Sequence, residues 1–323
     1  MKKILTLGLA LAVGAALAAG YPAFEAALLK ASPDLLKAKA ELDTAKARAK
    51  ALKGDPYAAP FERAGAEDAA LQAQALLRKT TLGLRQQALE TFAAVPVARA
   101  ALKLAEAHLA YAELAALAAK IRFEKGAIPA AERDRAQSAL AEARAAVERA
   151  RARLEAAEAT LKRYGDFAAE AVPELRPPEH VSATAHPDYL LAQLALKAAE
   201  RALQSAETPD TPRIEVEKKR TAYEAAKAAL EAKAAELERL LSQREADYRA
   251  ALGDLDLKAK ALDLKTKALK VARLRLEKGT ASRLEVLKAA LDQKSAELDL
   301  AQARLALARA ALLLAPFAEE EAR

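Results

Sequence analysis

An apolar residue, most often leucine, returns at every seventh position along much of this chain. Leu241, Tyr248, Leu255, Leu262, Leu269 and Leu276 follow that spacing. So do Val95, Leu102, Leu109, Ala116 and Phe123 in the first half. Subtracting 153 from the positions Tyr248 to Leu276 gives those earlier positions, so the two seams are in register. The period resumes at Leu140, Val147, Leu154 and Leu161, and again at Leu284, Leu291, Leu298, Leu305 and Leu312. A strict seven-residue apolar repeat implies left-handed supercoiling and a partner helix for every seam. The alternative is a set of amphipathic helices in one compact bundle. Length argues against it, because Pro212 to Gly279 gives a helix of about sixty residues, roughly 90 Å long at 1.5 Å per residue.

The chain is one unit written twice. Ser32-Pro33-Asp34-Leu35-Leu36 recurs as His186-Pro187-Asp188-Tyr189-Leu190, offset by 187 − 33 = 154. Arg122-Phe123-Glu124-Lys125-Gly126 recurs as Arg275-Leu276-Glu277-Lys278-Gly279, offset by 279 − 126 = 153. Fixed self-similarity of this kind signals duplication. Each unit opens with a helix at its X-Pro-Asp element, where Ser32 or Asp34 can cap and Pro suits the first turn. That helix runs to about Lys53 or Glu207. A breaker follows, Gly54 to Pro60 or Thr208 to Pro212, then a long helix to the Glu-Lys-Gly turn and a returning helix to Tyr164-Gly165 or Leu314-Ala315-Pro316. Pro96 and Gly253 are places where the two long helices can kink. The expected division is residues 1–18 as a signal peptide, 19–165 as the first helical hairpin repeat, 166–185 as a Pro-rich linker and 186–323 as the second repeat.

Composition agrees with long helices. Hydrophobic residues make up 53% and aromatics only 4%, a mix that favours coiled coils over a globule with an aromatic core. Cys, Trp and Asn are absent. Lack of the thermolabile Cys and Asn suits a thermophile, and GC-rich codon usage gives the same bias. At the start, Lys2 and Lys3 precede an apolar run from Ile4 to Leu17, and Ala16-Leu17-Ala18 supplies a small-x-small cleavage pattern. The run is short for a membrane-spanning helix of about twenty residues, so cleavage after Ala18 is favoured over anchoring. No later stretch reads as long and apolar enough to span. With Lys2 and Lys3 removed, the formal charge falls from +7 to 7 − 2 = +5. Basic residues form no block interleaved with aromatics, so nucleic acid is not an expected partner.

No catalytic constellation is legible. His108, His180 and His186 are scattered, no Cys can act as nucleophile or ligand, and no Gly-rich phosphate loop or His-Glu-x-x-His occurs. The many carboxylates alternate with Lys and Arg as solvated i,i+4 pairs. The reading is a non-enzyme without cofactor or metal. At the reversals, Gly126 and Gly279 can take the left-handed conformation that ends a helix, and Lys125 and Lys278 suit the helix C-terminus. Ala127, Ile128, Thr280 and Ala281 place small or apolar surface beside them, a plain hairpin turn or a tip that meets another protein.

These turn regions resemble the outer-membrane efflux (TolC-type) family. Arg122-Phe123-Glu124-Lys125-Gly126 followed by Ala136-Gln137-Ser138-Ala139-Leu140, and Arg275 to Gly279 followed by Leu284-Glu285-Val286-Leu287-Lys288-Ala289, carry the likeness. Ser32-Pro33 and His186-Pro187 resemble the X-Pro start of family repeats. The resemblance implies an all-α chain of long antiparallel coiled-coil hairpins in two tandem repeats, a TolC-like helical (α-barrel) architecture with little or no β-structure. It implies a homotrimer forming a passive conduit through the cell envelope, the outer membrane or the periplasm. The tips, with Phe123 and Leu276, would dock a periplasmic adaptor (membrane-fusion) protein and an inner-membrane pump. Family members narrow their tunnel with acidic side chains just past the tip. Here Glu285 holds such a place with basic Lys288 one turn on, and Glu132 with Arg135 stands at the matching site, a departure from an all-acidic constriction. The family also inserts two β-strands per unit at the breaker, and two spanning strands need over about twenty residues. Neither breaker is that long. A barrel-less periplasmic coiled-coil protein, a spacer, tether or chaperone-like clamp, is therefore the second reading. An adaptor subunit is a third and weaker one, since adaptors carry β-rich domains.

Overall fold

The computed structural model describes residues 20–319, so the signal peptide expected at residues 1–18 lies outside the described residues. Among the described residues there are seven α-helices: α1 Gly20–Ala31, α2 Pro33–Gly54, α3 Pro60–Glu124, α4 Ala130–Lys162, α5 Pro187–Ala206, α6 Arg213–Glu277 and α7 Arg283–Leu314. Single 3-10 turns lie at Ala183–Ala185 and Ala315–Phe317. Among the described residues there is no β-strand, only one isolated antiparallel bridge between Val181 and Ala318.

The repeat is explicit in the helices. α3 and α6 both have 65 residues. Their starts differ by 213 − 60 = 153 and their ends by 277 − 124 = 153. α2 and α5 have 22 and 20 residues, and α4 and α7 have 33 and 32. The starts follow the sequence as read. Ser32 Oγ accepts the Leu35 N–H at 3.3 Å and Pro33 sits in the first turn of α2. At α5 the capping atom is His186 Nδ1, which accepts the Asp188 N–H at 3.1 Å. α1 was not expected as a separate helix. It buries Tyr21, Phe24 and Leu28.

Contacts divide the described chain crosswise to the repeat. One unit takes 88–174, 249–309 and the described part of Met1–Glu25; the other takes Ala26–Gln87, Leu175–Tyr248 and the described part of Ala310–Arg323. Both Gly turns belong to the first unit and both breakers to the second.

In the first unit, the heptad positions named above are all buried or half-buried. Ion pairs show the register of the second hairpin. Lys258 bonds Asp299 at 3.8 Å, and Lys265 bonds Asp292 at 3.1 Å. Lys258 stands twenty residues before Lys278 and Asp299 twenty after Gly279; the other pair stands thirteen from each. Both therefore centre on the Gly turn, as an antiparallel hairpin requires. In the first hairpin Arg99 reaches Glu158 at 3.6 Å. Part of the apolar packing here is aromatic. Phe24 meets Phe92, Tyr164 and Phe167 with ring centroids 5.7, 5.6 and 5.4 Å away, the last two edge-to-face. Such pairs add about 0.5–1.5 kcal/mol beyond area burial.

In the second unit, Leu35, Leu42, Leu194, Leu237 and Phe317 are buried. Arg78 of α3 ties the segment before α5 to the segment after α7, donating to the carbonyls of Ala185 at 3.1 Å, Pro316 at 3.3 Å and Ala318 at 2.8 Å. The His186 ring lies 4.8 Å from that of Phe317.

One sequence expectation is corrected. Arg283–Phe317 is long and apolar enough, by length and composition, to cross a membrane. From Leu300 to Phe317 the only charged residues are Arg304 and Arg309. Buried Ala303, Leu305, Ala308, Ala311 and Leu314 alternate with exposed Arg304, Ala306 and Arg309, the pattern of a helix packed on one face. Arg309 is paired with Glu90.

Candidate functional site: the two hairpin turns

Both reversals are built by the same backbone device. Gly126 has φ 68° and Gly279 φ 71°, inside the left-handed region. The Gly126 N–H donates to Phe123 O at 2.8 Å and the Ala127 N–H to Arg122 O at 2.8 Å. The Gly279 N–H reaches Leu276 O at 2.9 Å and the Thr280 N–H reaches Arg275 O at 2.8 Å. These are the paired bonds of a Schellman C-cap, which use up carbonyls the helix end would leave bare. Gly is required here because L side chains crowd the carbonyl at this φ.

The re-entry differs between repeats. In the second turn Ser282 Oγ accepts the Glu285 N–H at 3.2 Å, and the Glu285 carboxylate accepts the Ser282 N–H at 3.4 Å. That is a capping box, whose sequence signature is Ser-x-x-Glu. Thr280 Oγ1 adds a bond to Arg275 O at 3.1 Å. In the first turn Pro129 takes the cap position and makes no side-chain bond. The Arg133 guanidinium instead lies 4.3 Å over the Phe123 ring. The repeat equivalents of this pair are Leu276 and Val286, so a cation–π contact in one turn is replaced by two aliphatic residues in the other.

The sequence-assigned tip residues are all at these turns. Lys125, Gly126, Ala127, Lys278, Gly279 and Thr280 are exposed, while Phe123, Ile128, Leu276 and Ala281 are half-buried. Glu132 and Arg135 are exposed in the first turn and a half of α4, and Glu285 and Lys288 at the matching places on α7. Glu285 has a structural use as a cap, independent of any role in a constriction. Among the described residues no group of three or more His, Asp or Glu is placed to hold a metal ion.

Sequence reasoning passed over His186 as one of three scattered histidines. Burial lowers its pKa; Asp188 opposes that, and Lys79, Arg78 and Lys233 reinforce it. Burial alone would raise Asp188, but the Lys79 hydrogen bond at 2.7 Å and the surrounding cations hold it below its ordinary value. Nδ1 must stay unprotonated to accept the Asp188 N–H, so the neutral ring is part of the fold. The His-Pro-Asp start was the available signal.

No protein-family model matches the sequence, and no curated protein matches it. Solved structures do. A membrane protein from Pseudomonas aeruginosa aligns with TM-score 0.64 at 16% identity, over 92% of this chain and 90% of that one. The outer membrane protein VceC from Vibrio cholerae aligns with TM-score 0.61 at 13% identity, over 93% and 96%. The Campylobacter jejuni CmeC outer membrane channel aligns with TM-score 0.60 at 12% identity, over 92% and 85%. The chain therefore has the helical fold of the TolC-type outer-membrane channels, with no β-strand among its described residues.

Proposed function

We propose that this chain is a subunit of a passive export conduit in the cell envelope, assembled as a homotrimer. The observation that carries this is a second seam on α6 that one chain leaves open. Leu257 and Leu264 are each 65% exposed and Val271 is 47% exposed, at seven-residue spacing. A heptad row of large aliphatic side chains needs another helix to cover it. A further copy of the same chain is the occupant that also closes a ring of hairpins. The adaptor and inner-membrane pump meet the assembly at the Gly126 and Gly279 turns, where Lys125, Ala127, Lys278 and Thr280 stand outward. The conduit performs no chemistry and carries no cofactor. Glu132, Arg135, Glu285 and Lys288, one helical turn inside the tips, make its narrowest ring one of mixed charge.

The absence of strands among the described residues favours a second reading, a periplasmic coiled-coil spacer or clamp without a pore. Light scattering of the exported chain, with and without detergent, separates the two. The conduit reading expects a trimer that L257Q/L264Q/V271Q reduces to monomer with helicity unchanged. A wild-type monomer in both conditions overturns it.

A further inference from the structure

Among the described residues the three most exposed large apolar side chains all lie at the breakers. Tyr57 is 94% exposed, and Phe61 and Ile214 are each 68% exposed. Within the second unit the start of α3, just after the first breaker, lies beside the end of α5, just before the second. Phe61 and Gly65 at the start of α3 line one groove with Ala202 and Ser205 at the end of α5. Asp68 and Arg201 form an ion pair across it.

The loops satisfy their own polar groups while turning these side chains outward. Asp55 Oδ1 accepts the Tyr57 N–H at 2.9 Å, and the Asp55 carbonyl accepts the Ala58 N–H at 3.4 Å. Glu62 accepts the Ala59 N–H at 3.2 Å. In the other loop, the Thr211 N–H bonds Thr208 O at 3.1 Å, the two hydroxyls meet at 2.7 Å, and Glu207 pairs with Arg220 at 3.6 Å. Covering these loops therefore leaves fewer N–H groups orphaned.

Among the exposed charges left without a partner there, cations outnumber acids. Lys46, Arg48, Lys50 and Lys53 lie within the last nine residues of α2, all exposed, and no acid lies between them in sequence. Lys46, Lys50 and Lys53, spaced i, i+4, i+7, share a face. Arg213, Lys218 and Lys219 are exposed beside Ile214. Of the nearby acids, Asp55 and Glu62 are held by their own loop, and Glu207 and Glu217 by Arg220. Asp43, Glu67, Asp210 and Glu215 are the exposed exceptions.

Outward aromatic and aliphatic side chains flanked by unpaired cations are what an anionic lipid interface recognises: rings sit at headgroup depth and cations at phosphates. We propose that the two breakers form a foot that rests on the surface of an anionic phospholipid bilayer, with Tyr57, Phe61 and Ile214 dipping into the interface. The inference stands apart from the conduit reading, because a monomeric spacer could use the same foot.

The chain has no Cys, so single thiols can be introduced cleanly. A Cβ at Gly54 meets nothing within 4 Å. G54C carrying a polarity-sensitive dye is mixed with phosphatidylethanolamine–phosphatidylglycerol vesicles, with A127C at a hairpin turn as the reference position. The expected result is a blue-shifted, several-fold brighter dye at 54 and no change at 127. Y57S/F61S/I214S in the G54C chain abolishes the change, and circular dichroism checks that helicity is kept. K46Q/R48Q/K50Q/K53Q lowers vesicle affinity by about fivefold per cation removed. No change at 54, equal change at 54 and 127, or a change that survives the triple substitution overturns the proposal. So does a photo-crosslinker at 54 that captures protein and no lipid in cells.

Discussion

Replacing Gly279 tests the turn geometry directly. At φ 71° an L side chain pays a conformational penalty of about 1–2 kcal/mol. A Cβ there meets nothing within 4 Å, so no steric clash adds to that penalty. Gly→Ala also narrows the unfolded ensemble, which returns about 0.4–1 kcal/mol. The net cost of G279A is thus about 1 kcal/mol, and G126A at φ 68° behaves alike. G279N costs less than G279A, because Asn tolerates the left-handed region. The assay is amide hydrogen exchange at Thr280 and Ala127, whose N–H groups close the two turns. Exchange at Thr280 should rise about fivefold in G279A, corresponding to about 1 kcal/mol, and less in G279N. Urea midpoints should shift the same way, additively for the double variant. If Ala and Asn are indistinguishable, or if Ala slows exchange, the left-handed cap is not what holds the turn.

Protonation of His186 should destabilise the chain. Burial sets its folded pKa below 6.5, so the stability it contributes is present above pH 6.5 and is lost as pH falls through that value toward the folded pKa. Urea midpoints should therefore drop between about pH 7 and pH 5, and H186N, which keeps a capping side chain, should flatten that limb. Removing the Arg133 guanidinium with R133A should lower stability by about 0.5–1 kcal/mol. Its repeat equivalent V286A should show no salt dependence, which melting at low and high salt will check. The hairpin register predicts that K265E weakens the second hairpin by about 0.2–1 kcal/mol and that K265E/D292K restores it. Failure of the swap to recover would mean that Lys265 and Asp292 do not face each other.

What the sequence made readable was whatever is decided within a few residues. The heptad seams are local arithmetic, and every seam position is indeed buried or half-buried. The Gly turns are a property of one residue's φ, and from the turn and the seam the antiparallel pairing follows, as Lys265–Asp292 shows. The Ser-x-x-Glu box at Ser282–Glu285 was equally local, yet the resemblance drew attention to Glu285 as a lining acid and away from its use as a cap. What stayed hidden was non-local. Arg78 bonds Ala185 and Pro316 across separations of 107 and 238 residues, and no spacing rule links those positions. His186 was hidden for the same reason, since its pKa depends on burial among Lys79, Arg78 and Lys233, which come from elsewhere in the chain.

The duplication sharpens this distinction. Two copies of one unit keep the elements that build the hairpin, so α3 and α6 have identical lengths and both turns keep their Gly. They diverge in how each turn is fastened: Phe123 under Arg133 in one copy, Ser282 with Glu285 in the other. The backbone conformation is the shared requirement, and the side-chain fastening is interchangeable at about the same energetic scale, near 1 kcal/mol in either form. A partner that read only the backbone shape would treat the turns alike. One that read side chains would distinguish them, so unequal loss of partner binding in G126A-matched R133A and S282A variants would show that the copies have taken separate roles.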